Sequence, residues 1–223
     1  MPNTSDRPVW LQQQEALIAS LSAQPILVVV RPDQADLDGD DGPGSLLDHL
    51  SCLENVGLRH VEIGWQPGQQ WRGFVERVRQ SCPSLQLGAA SVLTAEALVD
   101  LEACGLPFAM SPCFDPSLLE RARRSGILLV PGVFSPTEIQ QAMAMGCGLV
   151  KLFPAASVGV DYLQRLRAPL GPLPKVIAAG GLGVADLDAW LQAGHAAVAL
   201  GRRVIDVQGP DPALLRWLRT TSG

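Results

Sequence analysis

The chain has 223 residues, of which 47% are hydrophobic and 17% charged, and its formal net charge is -5 at pH 7. This length and apolar content suffice for one domain with a substantial core, whereas a negative net charge with scattered arginines argues against nucleic acid or an anionic membrane surface as a partner. We therefore expect a single domain over residues 1–223 that binds a small molecule.

Neither the cysteines nor the N-terminal segment indicates export. The five cysteines are an odd set without a C-x-x-C pair, which favours reduced thiols: Cys52, Cys82, Cys104, Cys113 and Cys147. Residues 1–9 are polar and lack the apolar centre of a signal peptide, and no apolar run approaches the roughly 18 residues that a membrane span needs. We expect a cytoplasmic protein, and the histidine spacing predicts no metal site.

The first elements are predicted to be a helix, a strand and a loop. Apolar residues at helical spacing predict a helix over residues 10–23, which lies ahead of the first strand and should cover one end of the fold. Residues 25–31 are typical of a buried strand ending in a charge. Residues 32–44, rich in aspartate and glycine, predict a loop, and residues 45–56 a helix.

From residue 57 onward, strands and helices alternate. Seven further strands are predicted at residues 59–64, 85–91, 108–111, 127–131, 149–153, 176–179 and 196–200. Helices between them have readable caps, including Thr94, Asp115-Pro116 and Ser135-Pro-Thr-Glu138. Eight mostly apolar strands, nearly all of them followed by a helix, favour an α/β fold: a (β/α)8 TIM barrel with an extra N-terminal helix. A doubly wound sheet is the alternative, but no G-x-G-x-x-G follows the first strand.

One of these strands carries a lysine at its centre. The only lysines in the chain are Lys151 and Lys175, and residues 148–154 are Gly-Leu-Val-Lys-Leu-Phe-Pro. Burying an ammonium group there is costly unless it loses its proton or finds a partner. A neutral lysine is a nucleophile toward carbonyl carbon, as Schiff-base chemistry requires. The alternative is a structural lysine whose ammonium group reaches a strand end or pairs with a carboxylate.

Polar residues gather at the predicted strand ends, where active sites of parallel barrels lie. They are Arg31, Glu62, Ser91, Ser111, Lys151, Gly180-Gly181 and Gly201-Arg202. Glu62 alternates with Val61 and Ile63, so we expect it to point into the barrel, where Lys151 is the available cation. A carboxyl group beside a Schiff-base lysine can move protons, whereas a buried ion pair without chemistry is the alternative.

The glycine pair suggests an anion site. Gly180 and Gly181 follow the seventh strand and precede a helix predicted to begin near residue 184, and N–H groups at a helix start can hold a phosphate. Gly201 and Arg202 would add an N–H group and a cation. By itself, a Gly-Gly pair is more often only a tight turn.

Three runs resemble the 2-dehydro-3-deoxy-phosphogluconate (KDPG) and 4-hydroxy-2-oxoglutarate (KHG) aldolase family. They are Pro131-Gly-Val-Phe-Ser-Pro-Thr-Glu138, Leu149-Val-Lys-Leu-Phe-Pro-Ala155 and Ala179-Gly-Gly-Leu182. Shorter matches at residues 61–63, 91–93 and 108–112 keep the family order. The resemblance implies a class I aldolase on a (β/α)8 barrel, usually a homotrimer without metal or organic cofactor, that cleaves a 2-oxo-4-hydroxy acid to pyruvate and an aldehyde.

The resemblance also implies roles for individual residues. Lys151 would be the Schiff-base lysine and Glu62 the general acid/base. The implied substrate-binding residues are Ser91 and Ser111 near the three-carbon end, Phe153 after the lysine, and Gly180, Gly181 and Gly201 at a phosphate.

The substrate-holding positions depart from the family pattern. Gln66 stands where an arginine holds the substrate carboxylate in KDPG-cleaving members, and Arg31 is placed to compensate. Ala179 and Arg202 replace a threonine and a serine, and an arginine binds phosphate or carboxylate more strongly than a serine does. We expect weaker cleavage of KDPG than in dedicated members and relatively better use of short unphosphorylated 2-oxo acids.

Two other functions stay open. Decarboxylation of oxaloacetate would use the same imine as an electron sink. A non-catalytic binding barrel is the alternative of another class, and it is disfavoured because both Lys151 and Glu62 are present.

Overall fold

The computed structural model describes residues 7–206 and 208–221 of the chain. Its barrel strands are β1 Ile26–Val30, β2 His60–Gly64, β3 Gln86–Ala90, β4 Phe108–Met110, β5 in two segments, Leu128–Val130 and Gly132–Val133, β6 Leu149–Leu152, β7 Lys175–Ala179 and β8 Ala197–Leu200. Each strand begins and ends within two residues of its predicted bounds.

Neighbouring strands pair in parallel around a closed ring. β1 pairs with both β2 and β8, and the other strands follow in sequence order. β5 closes the ring, because its first segment pairs with β4 and its second segment with β6. At the junction, the backbone N–H of Lys151 donates to the Pro131 carbonyl at 2.9 Å. The predicted α/β barrel is confirmed.

Helices surround this ring. They are α1 Val9–Ala23, α2 Gln34–Asp38, α3 Leu46–Asn55, α4 Gln69–Ser81, α5 Ala95–Ala103, α6 Pro116–Arg124, α7 Pro136–Ala144, α8 Tyr162–Leu170, α9 Leu187–Gln192 and α10 Pro212–Thr221. The predicted caps at Thr94, Asp115 and Ser135 are confirmed, since each side chain accepts a hydrogen bond from the first turn of its helix. In the described part of the chain, no helix is long and apolar enough to cross a membrane.

The prediction of a loop over residues 32–44 is wrong for residues 34–38, which form α2. α2 forms there because Asp33 and Asp36 cap each other: the Asp36 N–H donates to Asp33 at 3.0 Å and the Asp33 N–H donates to Asp36 at 2.9 Å. Gly39 ends this helix with a φ of 97°. A short antiparallel hairpin, β9 Ile205–Asp206 and β10 Gly209–Pro210, was also not predicted from the sequence.

Side chains alternate between the two faces of the barrel wall. Val61 and Ile63 of β2 pack outward among the helices, so Glu62 points inward as predicted. The barrel interior is filled mainly by Leu27, Phe108, Met110, Leu128 and Ile177, which cluster with Leu17 and Leu21 of α1. α1 therefore closes the N-terminal end of the barrel, which leaves the C-terminal end for a site.

A buried histidine lies on the inward face of β2, two residues before Glu62. His60 is 0% exposed, its Nδ1 lies 3.2 Å from the Ile26 carbonyl, and its Nε2 lies 2.7 Å from the Ser20 hydroxyl. Because a carbonyl oxygen can only accept, Nδ1 carries the proton and the Ser20 hydroxyl donates to Nε2. Burial lowers the pKa of His60 to about 4, against the opposing effect of the Ile26 hydrogen bond.

This histidine should make the fold sensitive to mild acid. Between pH 6.5 and about 4 the unfolded chain binds a proton at His60 that the folded chain does not, so the free energy of unfolding should fall as pH is lowered. The expected loss by pH 4 is about 3 kcal/mol. Denaturant unfolding at several pH values should show a shallower dependence in His60→Gln, and an unchanged dependence would contradict the assignment.

Candidate active site

A cavity of about 460 Å³ opens at the C-terminal ends of the strands. It is lined by eight of the residues singled out from the sequence: Arg31, Ser91, Lys151, Phe153, Gly180, Gly181, Gly201 and Arg202. The barrel brings these residues together because parallel strands place all their C-terminal ends at one face.

Lys151 and Glu62 form an ion pair at the base of this cavity. Lys151 Nζ donates to Glu62 Oε2 at 3.2 Å, and the two residues are 7% and 0% exposed. The other carboxylate oxygen, Oε1, is buried without a hydrogen-bond partner among the described residues. Burial raises the pKa of Glu62, while the Lys151 charge and hydrogen bond and the Arg31 charge act in the opposite direction. The site thus holds an amine beside a carboxyl group with a raised proton affinity.

Arg31 reaches from the end of β1 to the end of β3. Its Nη2 donates to Ser91 Oγ at 2.9 Å. Ser91 has a φ of 62°, in the left-handed region that non-glycine residues rarely adopt. The Arg31 charge also lowers the pKa of Glu62, against the larger effect of burial.

The glycine pair forms the wall beside Phe153. Gly180 and Gly181 have φ values of 93° and 83°, and a Cβ at Gly180 would lie 2.9 Å from the Phe153 ring. The helix predicted near residue 184 begins there as a 3-10 turn over residues 184–186 and continues as α9. The N–H of Gly183, which caps this turn, donates to the Asp186 carboxylate at 2.7 Å. A carboxylate thus already occupies the N-terminus of this turn, which weakens the case for a phosphate there.

Three of the residues singled out do not line the cavity: Glu62, which lies buried behind Lys151, and Gln66 and Ser111. The Gln66 side chain donates to the Pro32 carbonyl at 2.7 Å. Ser111 is 1% exposed, and its Oγ accepts from the Cys113 N–H at 3.3 Å. The cavity instead includes Ser157 and Arg203, which the sequence analysis missed. The adjacent arginines after the last strand were a signal for Arg203, whereas nothing in the sequence marked Ser157.

The cavity wall is strongly cationic. Arg31, Arg202 and Arg203 all line it, together with Lys151. Among residues 7–206 and 208–221, the ion pairs that form include none of these three arginines. Guanidinium groups without carboxylate partners at a cavity favour an anionic ligand, because each can form charge-assisted hydrogen bonds to carboxylate or phosphate.

Comparison with known proteins agrees with this geometry. The KDPG and KHG aldolase family model matches residues 21–212 of the chain. The chain belongs to this family. It is therefore a lyase of the class I aldolase type, and the resemblance found in the sequence is confirmed.

Similar proteins include several aldolases. The KHG/KDPG aldolase of Escherichia coli K12 is 30% identical over 183 residues, which cover 82% of this chain and 80% of that protein. The 2-dehydro-3-deoxy-phosphogluconate aldolase of Haemophilus influenzae is 28% identical, and the match covers 79% of each chain. The enzyme of the same name from Treponema pallidum is 32% identical, but the match covers only 54% of that protein.

Solved structures of aldolases share the fold. The 2-keto-3-deoxy-6-phospho-gluconate aldolase of Zymomonas mobilis superposes with a TM-score of 0.75 at 20% identity, over 92% of this chain and 96% of that one. The KDPG aldolase of Legionella pneumophila has a TM-score of 0.70 at 25% identity, over 92% and 94% of the two chains. In that structure, pyruvate was captured as a covalent carbinolamine intermediate.

Proposed function

We propose that this aldolase cleaves a 2-oxo-4-hydroxy acid with an anionic distal end, and that Lys151 forms the imine while Glu62 moves the protons. The observation that carries the proposal is the 3.2 Å contact between Lys151 Nζ and Glu62 Oε2 at the base of a cationic cavity. The carbinolamine captured in the related Legionella aldolase supports this chemistry.

The ion pair supplies the nucleophile. Transfer of one proton from the Lys151 ammonium to Glu62 leaves a neutral amine beside a neutral carboxyl group, and burial of Glu62 favours that uncharged state. Once the ammonium is gone, its attraction no longer stabilises the carboxylate, so the pKa of Glu62 rises further. The proton stays within reach of the reacting atoms for the dehydration step.

The reaction then balances with these two residues. The amine adds to the C2 carbonyl and water leaves, giving a protonated imine. Glu62, now a carboxylate, removes the proton of the C4 hydroxyl. The C3–C4 bond then breaks and releases the aldehyde. The electron pair of that bond forms the C2–C3 double bond while the imine π electrons move to nitrogen, which gives an enamine. Protonation of C3 and hydrolysis of the imine release pyruvate and return the free lysine.

The arginines divide between the two ends of the substrate. Arg31 and Ser91 line the same cavity as Lys151, and the Arg31 charge acts on Glu62, so we assign Arg31 the carboxylate at C1. Arg202 and Arg203 follow β8 and line the cavity with Gly180 and Gly181, so we assign them the distal anion. A guanidinium group accepts either a carboxylate or a phosphate, which leaves KHG and KDPG both compatible with this end.

Assembly and location follow from family resemblance. We propose a homotrimer in the cytoplasm, as the sequence analysis expects. Sedimentation velocity of the purified protein tests the trimer, and a monomer at micromolar concentration would contradict it.

Borohydride trapping tests the imine. Incubation with pyruvate and borohydride should add one reduced adduct per chain at Lys151, because an amine at the base of the cavity meets the bound carbonyl. Peptide mass spectrometry locates the adduct. Lys175, which is exposed at the start of β7, is the internal control, and Lys175→Arg should trap normally. An adduct only at Lys175, or none at all, would refute the mechanism.

Substitution of Glu62 tests the proton shuttle. Glu62→Gln keeps the shape of the side chain but cannot carry the proton, so kcat should fall by about 10² to 10⁴, the usual range for a positioned acid/base. The far-ultraviolet circular dichroism spectrum should remain that of the parent. If the variant fails to fold, the pair is structural, because removal of one partner leaves a buried charge; turnover within a fewfold of the parent would exclude Glu62 as the shuttle.

Substrates that differ at one end test the arginine pair. KHG carries a distal carboxylate, and 4-hydroxy-2-oxopentanoate carries a methyl group in its place. The parent should cleave KHG with a kcat/KM at least about tenfold higher, since a charge-assisted hydrogen bond contributes roughly 1.5–3 kcal/mol. Arg202→Ser should remove most of this preference, and KDPG measured in parallel should be the weaker substrate of the parent. Equal preference in the parent and the variant would refute the assignment.

A further inference from the structure

The glycine that ends β2, next to Arg31, has a backbone conformation that does not require glycine. Gly64 ends β2 on the inward face, in register with Ala90 of β3. Its φ lies outside the left-handed region, unlike that of Gly180 or Gly181, so an L-residue could adopt its conformation. The reason for glycine at position 64 must therefore be a neighbouring group that leaves no room for a side chain.

The nearest neighbouring group is the Arg31 side chain. A Cβ at Gly64 would lie 2.9 Å from Arg31 Nη1 and 3.1 Å from Arg31 Cγ, both shorter than an ordinary contact. The Val30 carbonyl oxygen would be 3.2 Å away, which is also a tight contact. Arg31 thus lies across the end of β2 in a slot that exists because residue 64 has no side chain.

Ser91 fixes the far end of the same side chain. Its Oγ accepts from Arg31 Nη2 at 2.9 Å, while its backbone has a φ of 62°. A non-glycine residue in this region is strained, and the surrounding contacts must offset that strain. The slot and the hydroxyl therefore hold two different parts of one guanidinium group.

Arg31 also lines a second cavity, of about 480 Å³, which adjoins the first one at Val29, Gly201 and Arg202. A side chain at position 64 would turn Arg31 toward this second cavity. Carboxylates of Asp33, Asp40 and Asp206 line that cavity and would attract a displaced guanidinium.

We infer that Gly64 is a positioning residue for substrate binding: its missing side chain leaves the slot through which Arg31 reaches Ser91 and the catalytic cavity. The inference rests on the proposed function, in which Arg31 binds the substrate carboxylate. It makes Gly64 and Arg31 one unit, so that a methyl group at position 64 acts only through the arginine.

A double-mutant cycle tests this coupling, with KHG cleavage as the readout. Gly64→Ala should raise KM about tenfold with little change in kcat, the equivalent of one charge-assisted hydrogen bond. Arg31→Ala should raise KM at least as much, and Gly64→Ala added to Arg31→Ala should change KM less than about twofold. Gly73→Ala is the matched control, because Gly73 is exposed on α4 and its Cβ would make only an ordinary contact, 3.7 Å from Arg77.

The outcomes separate the inference from the proposed function. If Gly64→Ala raises KM equally with and without Arg31, the inference is overturned and the Val30 carbonyl is the group that the methyl group displaces. If Gly64→Ala has no effect in the parent, the inference is also overturned. If Gly64→Ala unfolds, restored folding in the double variant supports the slot and continued unfolding contradicts it. Borohydride adducts at saturating pyruvate in all four proteins show that the imine chemistry stands; no adduct in the parent would remove the proposed function and the inference with it.

Discussion

The buried contact between Lys151 and Glu62 is the interaction on which the rest of the site depends. Removing both ions from water costs several kcal/mol each, and attraction across 3.2 Å at an effective dielectric constant of about 20 returns only about 5 kcal/mol. Such a pair contributes little net stability, so its chemistry is the better explanation for its presence. Transfer of a proton from Lys151 to Glu62 removes both buried charges and leaves a nucleophilic amine beside a carboxylic acid.

The fold supplies the conditions that this pair needs. α1 packs against the N-terminal end of the barrel with Leu17 and Leu21, and the catalytic cavity opens at the C-terminal strand ends. At that end, three arginines provide the charge that attracts an anion, while Glu62 is 0% exposed and pairs with Lys151. Specificity therefore comes from the groups at the rim and reactivity from the pair below.

The sequence predicted the barrel well because the features that specify it are local. Apolar runs of strand length, caps such as Ser135 with Glu138, and the alternation around Glu62 each depend on neighbouring residues. The failures depend on contacts across space: the reciprocal capping of Asp33 and Asp36 in an apparent loop, and the Gln66 amide that turns to the Pro32 carbonyl. The slot beside Gly64 was equally hidden, since nothing near it in the chain shows where Arg31 lies.

A crystal structure of the protein soaked with pyruvate tests the chemistry most directly. If Lys151 is the nucleophile, electron density should run without a break from its Nζ to C2 of pyruvate, and the pyruvate carboxylate should lie within hydrogen-bond distance of the Arg31 guanidinium. Pyruvate bound without a covalent link, beside a Lys151–Glu62 pair left as it is in the free protein, would contradict the mechanism.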